Sequence, residues 1–355
     1  MFRILFLLLL LFMTAVSSGG YWLYKYHLTA PFPLITDLRY TVEPNTTLSQ
    51  IAIDLMDKRL LNYPTALAWV TLARWQKRAH KIKAGEYLIE VGTTPQQFLD
   101  DMIAGKTTQH SLTLPEGWNF QQVMTAVRQH PQLIPTLSKD DDPATIMAKL
   151  GWSNQHPEGR FYPDTYLFPT GTTDVEFLQR AYKMMKKELS AAWEKRSDNL
   201  PLNNAYEALI LASIIEKETA VAEERPLIAS VFVQRLKKNM LLQTDPTVIY
   251  ALGDAYDGNI RKQDLKVNSP YNTYVKKGLP PTPIAMPGRA ALQAAVSPAQ
   301  DDALFFVAKG DGSHYFSDSY KEHECAVIEY QLKEKSPRRY RSRCRKYPSC
   351  AACRS

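Results

Sequence analysis

From Ile4 to Tyr24 the chain runs for 21 residues without a charged side chain, with Arg3 before the run and Lys25 after it. A helix needs about 20 predominantly apolar residues to cross the hydrocarbon of a bilayer, so this run reaches spanning length. Its first part, Ile4 to Val16, also has the length of a signal-peptide apolar region and precedes Ser17-Ser18-Gly19-Gly20. The renewed run Tyr21-Trp22-Leu23-Tyr24 favours a retained anchor, because it completes the span and supplies rings of the kind that collect at membrane interfaces. Both readings export the residues from 28 onward. An inward amino terminus places the rest of the chain outside the cytoplasm.

At 355 residues the chain has material for two or three modules with cores of their own. Its net charge is +7, but eight Lys and Arg and no acid lie from Lys335 onward, so the first 334 residues carry −1. A nucleic-acid footprint needs basic charge spread over a binding face, and this distribution removes that argument. All four cysteines are late, at Cys325, Cys344, Cys350 and Cys353, which leaves the first 324 residues to fold by burial alone. The pair Cys350 and Cys353 lacks a well-spaced second ligand pair, Cys344 with His323 fits poorly, and the seven histidines show no HExxH spacing. No metal and no cofactor is therefore expected. Residues 335–355 read as a disordered basic tail.

Tyr40 to Ala52 reads as a strand, a turn and a helix capped by Thr46 or Thr47. Helical pattern continues through Arg74-Trp75, Ile82 to Ile89 returns as a strand, and a short helix from Thr94 stops at Gly105. This outline resembles a LysM glycan-binding module, with Asn45 and Thr46 where that motif usually has Gly and Asp; the alternative is a small α/β spacer. Leu112 to Gly117 closes the module with a strand and turn, and helix resumes from Gln121 to Arg128. Glu158 to Pro169 is dense in aromatics and prolines and reads as an ordered loop. Long helices are expected over Val175–Arg196, Ala205–Glu224 and Leu227–Lys238.

In Tyr206 to Thr219 apolar residues occur on every side of the helical wheel, so this helix should be buried all round. It nevertheless carries Glu216 and Glu218. At about 100° per residue the two point roughly 200° apart, so at most one can face a given cleft. Either both emerge at a fraying end, balanced by Lys217 and Arg225, or one is a desolvated acid with a raised pKa, suited to protonating a leaving oxygen. Glycosidases usually pair such an acid with a second carboxylate, for which Asp164 and Asp245 are candidates. A lytic transglycosylase needs none, because the sugar's own hydroxyl attacks. Leu242 to Tyr250, Asn268 to Tyr274 and Gly278 to Gly288 each combine amides or hydroxyls with aromatic rings on proline-fixed turns, as a sugar groove requires. Gln243, Thr244, Asp245, Tyr250, Tyr271, Asn272 and Tyr274 are accordingly expected to bind substrate.

Ala212 to Glu223, Leu242 to Tyr250, Tyr271-Asn272-Thr273-Tyr274 and Gly278-Leu279-Pro280-Pro281 together resemble the MltG (YceG-like) endolytic murein transglycosylases over most of residues 28–330. The resemblance implies an inner-membrane anchor, a LysM-like subdomain, and a periplasmic enzyme that cuts nascent peptidoglycan to leave 1,6-anhydro-N-acetylmuramic ends. It also implies that the catalytic glutamate is the second of Glu216-Lys217-Glu218; the family pattern, not periodicity, chooses Glu218. Expected partners are peptidoglycan glycan strands, the inner membrane and neighbouring peptidoglycan synthases of the penicillin-binding class. The fold class expected is α+β: residues 1–27 as tip and anchor, 28–110 as the LysM-like subdomain, 111–334 as a larger, mostly helical catalytic domain with short strands, and 335–355 as the tail. A serine enzyme is excluded, since neither Ser-x-x-Lys nor Gly-x-Ser-x-Gly occurs. A pyridoxal-phosphate lyase is opposed by the export segment and the lack of a Gly-rich phosphate loop. A non-catalytic glycan-binding or scaffold protein of the envelope is the alternative.

Overall fold

The computed structural model describes residues 13–14, 18–21, 24–333 and 336–354. Most of the apolar run Ile4–Tyr24 lies outside the described residues. Among those described, no helix is long and apolar enough to cross a membrane.

The chain forms two units, each mixed α and β; the smaller comprises residues 1–111, 132–134 and 167–172. Strand β1 (Leu38–Val42) pairs antiparallel with β2 (Gly85–Ile89), Tyr40 opposite Tyr87. Alternation puts Tyr40, Val42, Tyr87 and Ile89 on one buried face. Between the strands lie α1 (Leu48–Asp57) and α2 (Tyr63–Trp75). Thr47, one of the two expected caps, closes a reciprocal capping box with Gln50. Before it, Asn45 takes a left-handed φ of 65°, a conformation asparagine tolerates better than most side chains. Helix α3 (Pro95–Ala104) is capped by Thr94 and stops at Gly105, whose φ is 75°. Phe98 of α3 is the hub of this core, touching the rings of Phe32, Tyr40, Trp69 and Tyr87 at 5.7–6.4 Å.

Strands β3 (Gln109–Thr113) and β4 (Thr165–Pro169) make a second two-stranded sheet. The larger unit comprises residues 112–131, 135–166 and 173–355. It contains α4 (Phe120–Gln129), α5 (Pro143–Lys149), α6 (Asp174–Glu194), α7 (Ala205–Glu218), α8 (Arg225–Lys237), α9 (Asp245–Leu252) and α10 (Arg289–Val296). The antiparallel hairpin β5 (Phe305–Ala308) and β6 (His314–Ser317) and helices α11 (Tyr320–Val327) and α12 (Pro337–Lys346) complete it.

Helix α7 is its axis. Asn204 caps it, and all eight residues from Ala208 to Ile215 are buried, packed among α6, α8 and α10. Each fully buried Leu or Ile contributes roughly 1.5–3 kcal/mol of transfer free energy, so this helix is held by its surroundings on every side.

Three expectations are corrected. The helix expected over Ala205–Glu224 ends at Glu218: Thr219 is extended (φ −144°, ψ 137°), and a short 3₁₀ turn spans Ala222–Glu224. The cause is local, since Thr219 Oγ1 accepts the Val221 N–H at 3.0 Å and so offers the backbone an alternative to another helical turn. The segment Glu158–Pro169 is ordered but not all loop, because its last five residues are β4. The basic tail is structured over residues 336–354. Cys325–Cys350 and Cys344–Cys353 are disulfides, Arg343 pairs with Glu324, and Tyr340 Oη donates to Ala352 O. Cross-links supply the order that the charge pattern alone could not.

Candidate active site

Glu218 is the last residue of α7, where the negative end of the helix dipole opposes its ionisation. Its carboxyl is enclosed by protein while the residue keeps some solvent exposure. Desolvation pushes its pKa up to about 7. The charge of Asp245 adds to the rise, while a hydrogen bond from Thr244 and the charges of His314 and Arg235 oppose it. Thr244 Oγ1 donates that bond to Glu218 Oε1.

Thr244 is fixed by a ladder of threonines. Its N–H donates to Thr273 Oγ1 at 3.1 Å, its carbonyl accepts from Thr247 Oγ1 at 2.7 Å, and the Thr247 and Thr273 hydroxyls meet at 2.8 Å. Gln243, exposed and at φ 52°, donates its N–H to Thr273 O at 3.1 Å. From α8 the buried Arg235 donates to Leu242 O at 2.8 Å and Leu241 O at 3.3 Å, and to Leu304 O at 2.7 Å. One guanidinium thus joins the segment leading into Thr244 to the residue before β5.

The other expected site residues divide. Asp245 is exposed, and its Oδ1 accepts from Tyr274 Oη at 2.5 Å; burial and this carboxylate both push the Tyr274 hydroxyl's pKa up. The rings of Tyr250 and Tyr271 lie 4.9 Å apart, and the Tyr271 hydroxyl meets that of Thr282 at 2.8 Å. Asn272 does not reach the surface. Its amide nitrogen donates to Leu265 O and Val267 O at 3.2 and 2.8 Å, and its Oδ1 accepts the Tyr274 N–H at 2.9 Å, so it shapes the loop from within. Asp164 is exposed and accepts the N–H of Thr165 at 2.7 Å; it is not among the charges acting on Glu218. Of the two candidate second carboxylates, Asp245 is the one at the site.

Glu216 faces elsewhere, as the helical angle demands. It accepts the Gly288 N–H at 3.0 Å at the start of α10, and Arg225 lies 3.8 Å away. Burial raises its pKa as well. Lys217, between the two acids, donates to Gly117 O at 3.2 Å.

Four residues with no role assigned in the sequence belong here: Arg235, Glu158, Glu224 and His314. Glu158 is buried, accepts from Tyr250 Oη and the Phe120 N–H at 2.9 Å each, and has its pKa pushed by desolvation to about 7. Its one signal was an acid heading an aromatic, proline-rich segment. Glu224 Oε1 accepts the His314 N–H at 2.7 Å, and its Oε2 lies 2.7 Å from His314 Nδ1 and 3.5 Å from Thr219 Oγ1. These two are 90 residues apart, and no local pattern joins them. Among the described residues no group of three or more His, Cys, Asp or Glu side chains could hold a metal ion.

A buried acid at a helix end, bordered by hydroxyls and aromatic rings, defines a site for acid–base chemistry on a polar, ring-containing substrate. The chain belongs to the YceG-like family, whose model matches residues 40–329. The endolytic murein transglycosylase of Bacillus subtilis (strain 168) is 33% identical over 334 residues, 88% of this chain and 90% of that protein. Another of that name, from Streptococcus pneumoniae D39, is 26% identical, and the match covers 90% of this chain and 64% of the longer relative. A yceG-like protein of Listeria monocytogenes superposes with a TM-score of 0.50 at 32% identity, covering 81% of this chain and 98% of that one.

Proposed function

We propose that this chain is a lytic transglycosylase that cuts the β-1,4 bond between N-acetylmuramic acid and N-acetylglucosamine inside nascent peptidoglycan strands. The observation that carries the reading is Glu218, a desolvated carboxyl with a pKa of about 7, held by Thr244. The family relatives of that name support it. In the first step the Glu218 proton passes to the glycosidic oxygen as the C1–O4 bond breaks, and the bonding pair stays on that oxygen. In the second, the Glu218 carboxylate takes the proton of the muramic C6 hydroxyl while O6 bonds to C1. The acid is restored, no water is consumed, and the product end is 1,6-anhydro. Asp245 is exposed and tied to Tyr274, which suits it to the rim of the site better than to the role of a buried nucleophile.

The remaining assignments follow from this reading. The uncharged run Ile4–Tyr24 supports a single-pass inner-membrane anchor with the catalytic unit in the periplasm, beside the synthases that make the strands and limiting the length of what they make. The β-α-α-β order of the smaller unit supports a LysM-like glycan-binding role for it. Incubation of the protein with purified murein, followed by mass spectrometry of the soluble products, tests the central claim. Anhydro-muramic ends support it, reducing ends indicate a hydrolase, and no release with wild type indicates the scaffold alternative.

A further inference from the structure

The reaction just described leaves Glu224 and His314 without a task, although Glu224 contacts Thr219, the residue that follows Glu218, and holds His314. Glu224 closes the 3₁₀ turn that replaces the expected continuation of α7. One of its oxygens takes the His314 backbone N–H and the other faces the ring at Nδ1, so main chain and imidazole are gripped together. The carboxylate oxygen at Nδ1 accepts the proton there and so fixes the tautomer and orientation of the ring. Phe306 closes one side, its ring perpendicular to the imidazole at 5.4 Å. The Thr219 hydroxyl reaches the same carboxylate oxygen, which ties the pair to the end of the catalytic helix. Arg235 anchors the base of the same hairpin through Leu304. The hairpin is therefore held at two places, to the end of α7 through Glu224 and to α8 through Arg235.

We propose that the Glu224–His314 pair is the positioning and charge-setting partner of Glu218: Glu224 fixes the ring, and the imidazolium stabilises the Glu218 carboxylate once its proton has gone to the leaving oxygen. A group that must release a proton in one step and recover one in the next gains from a cation close enough to act through space. The other groups acting on Glu218 are Thr244 and Tyr274 from the loops, Asp245 from the start of α9 and Arg235 from α8. His314 is faced by Glu224, Phe306 and Phe316. Arg235 donates to three carbonyls, which commits its guanidinium to holding the backbone on both sides of the site.

This inference rests on the transglycosylase reading for its catalytic arm, and a second arm is independent of it. In the first, kcat and KM for murein are measured against pH for wild type, His314→Gln and Glu224→Gln. His314→Gln should lower kcat about tenfold to a hundredfold with little change in KM, and move the basic limb to higher pH, because the cation favouring the carboxylate is gone. Glu224→Gln keeps an acceptor for the His314 N–H and should also lower kcat while the fold persists. In the second arm, the Glu218 carboxyl is titrated by carbon NMR without substrate, where His314→Gln should move its midpoint upward. Wild-type limbs and an unmoved midpoint, with only thermal stability lowered, would overturn the proposal and leave the pair as a structural clasp. A moved midpoint in a protein that makes no anhydro product would uphold the charge coupling and reject the reaction class.

Discussion

Thr244 Oγ1 donates its hydrogen bond to Glu218 Oε1 from the residue that precedes α9, and the adjacent Asp245 opposes it by repulsion. Two neighbours thus push one carboxyl in opposite directions. Thr244→Val removes the donor and keeps the shape. A hydrogen bond to a charged group is worth about 1.5–3 kcal/mol, and this one favours the carboxylate, so its loss makes Glu218 a weaker acid. Expected are a fall in kcat of about tenfold to a hundredfold and a basic limb displaced upward. A limb displaced downward in the pH–rate profile would contradict the assigned direction.

Glu158 predicts a pH dependence of stability. Burial raises its pKa from 4.5 to about 7 in the folded chain, so between those values the folded state holds a proton that the unfolded state has lost. Stability contributed by this group is complete below about pH 4.5 and is lost as pH rises through about 7, amounting to roughly 3 kcal/mol. Glu158→Gln removes the titration, keeps an acceptor for the Phe120 N–H, and should narrow the difference in melting temperature between pH 5 and pH 8. Glu218 titrates in the same window, so the variant should narrow that difference without abolishing it. An unchanged difference in a folded variant counts against Glu158 as a source.

What could be read along the chain was what depends on neighbours in sequence. Apolar residues on every side of Tyr206–Ile215 made α7 legible as a buried helix, and the strand, turn and cap at Tyr40–Ile51 needed only local signals. The end of α7 was missed because a threonine's local hydrogen bond overrode a continuing helical pattern. Thr244 was legible as a residue of the site but not as the donor to Glu218, since the two lie 26 residues apart. Asn272 looked like a sugar contact by type, yet the fold turns its amide inward. The tail was misjudged because cysteine pairing is set by three-dimensional proximity, which charge and spacing do not encode.

The two disulfides predict a local response to reduction. Their closed segments span separations of 25 and 9 residues, and loop closure of that size is worth roughly 3 kcal/mol each. Their small core of Ile328, Leu332, Cys350 and Ala352 is separate from the cluster around α7. Reduction should therefore raise amide exchange over residues 336–354 while 205–218 stay protected and murein cleavage stays within about twofold. Loss of protection across α7 on reduction would show that the two regions unfold together.

Glu216 and Glu218 are two residues apart, both desolvated and both raised in pKa, so acidity alone does not tell them apart. Their partners do. Glu216 is occupied by the Gly288 N–H and lies beside Arg225, whereas Glu218 accepts a single threonine hydroxyl and keeps solvent access next to Asp245 and Tyr274. Glu216→Gln retains an acceptor for Gly288 and loses attraction to Arg225 and Lys217 while also losing repulsion from Glu116, so it should cost a few degrees of melting temperature and less than tenfold in activity. Glu218→Gln keeps the volume and the Thr244 contact but cannot cycle a proton, so it should lose at least a hundredfold, with folding unimpaired. Product release from murein by the two variants, measured with their melting curves, separates the roles: an inactive, well-folded Glu216→Gln beside an active Glu218→Gln would reverse the assignment.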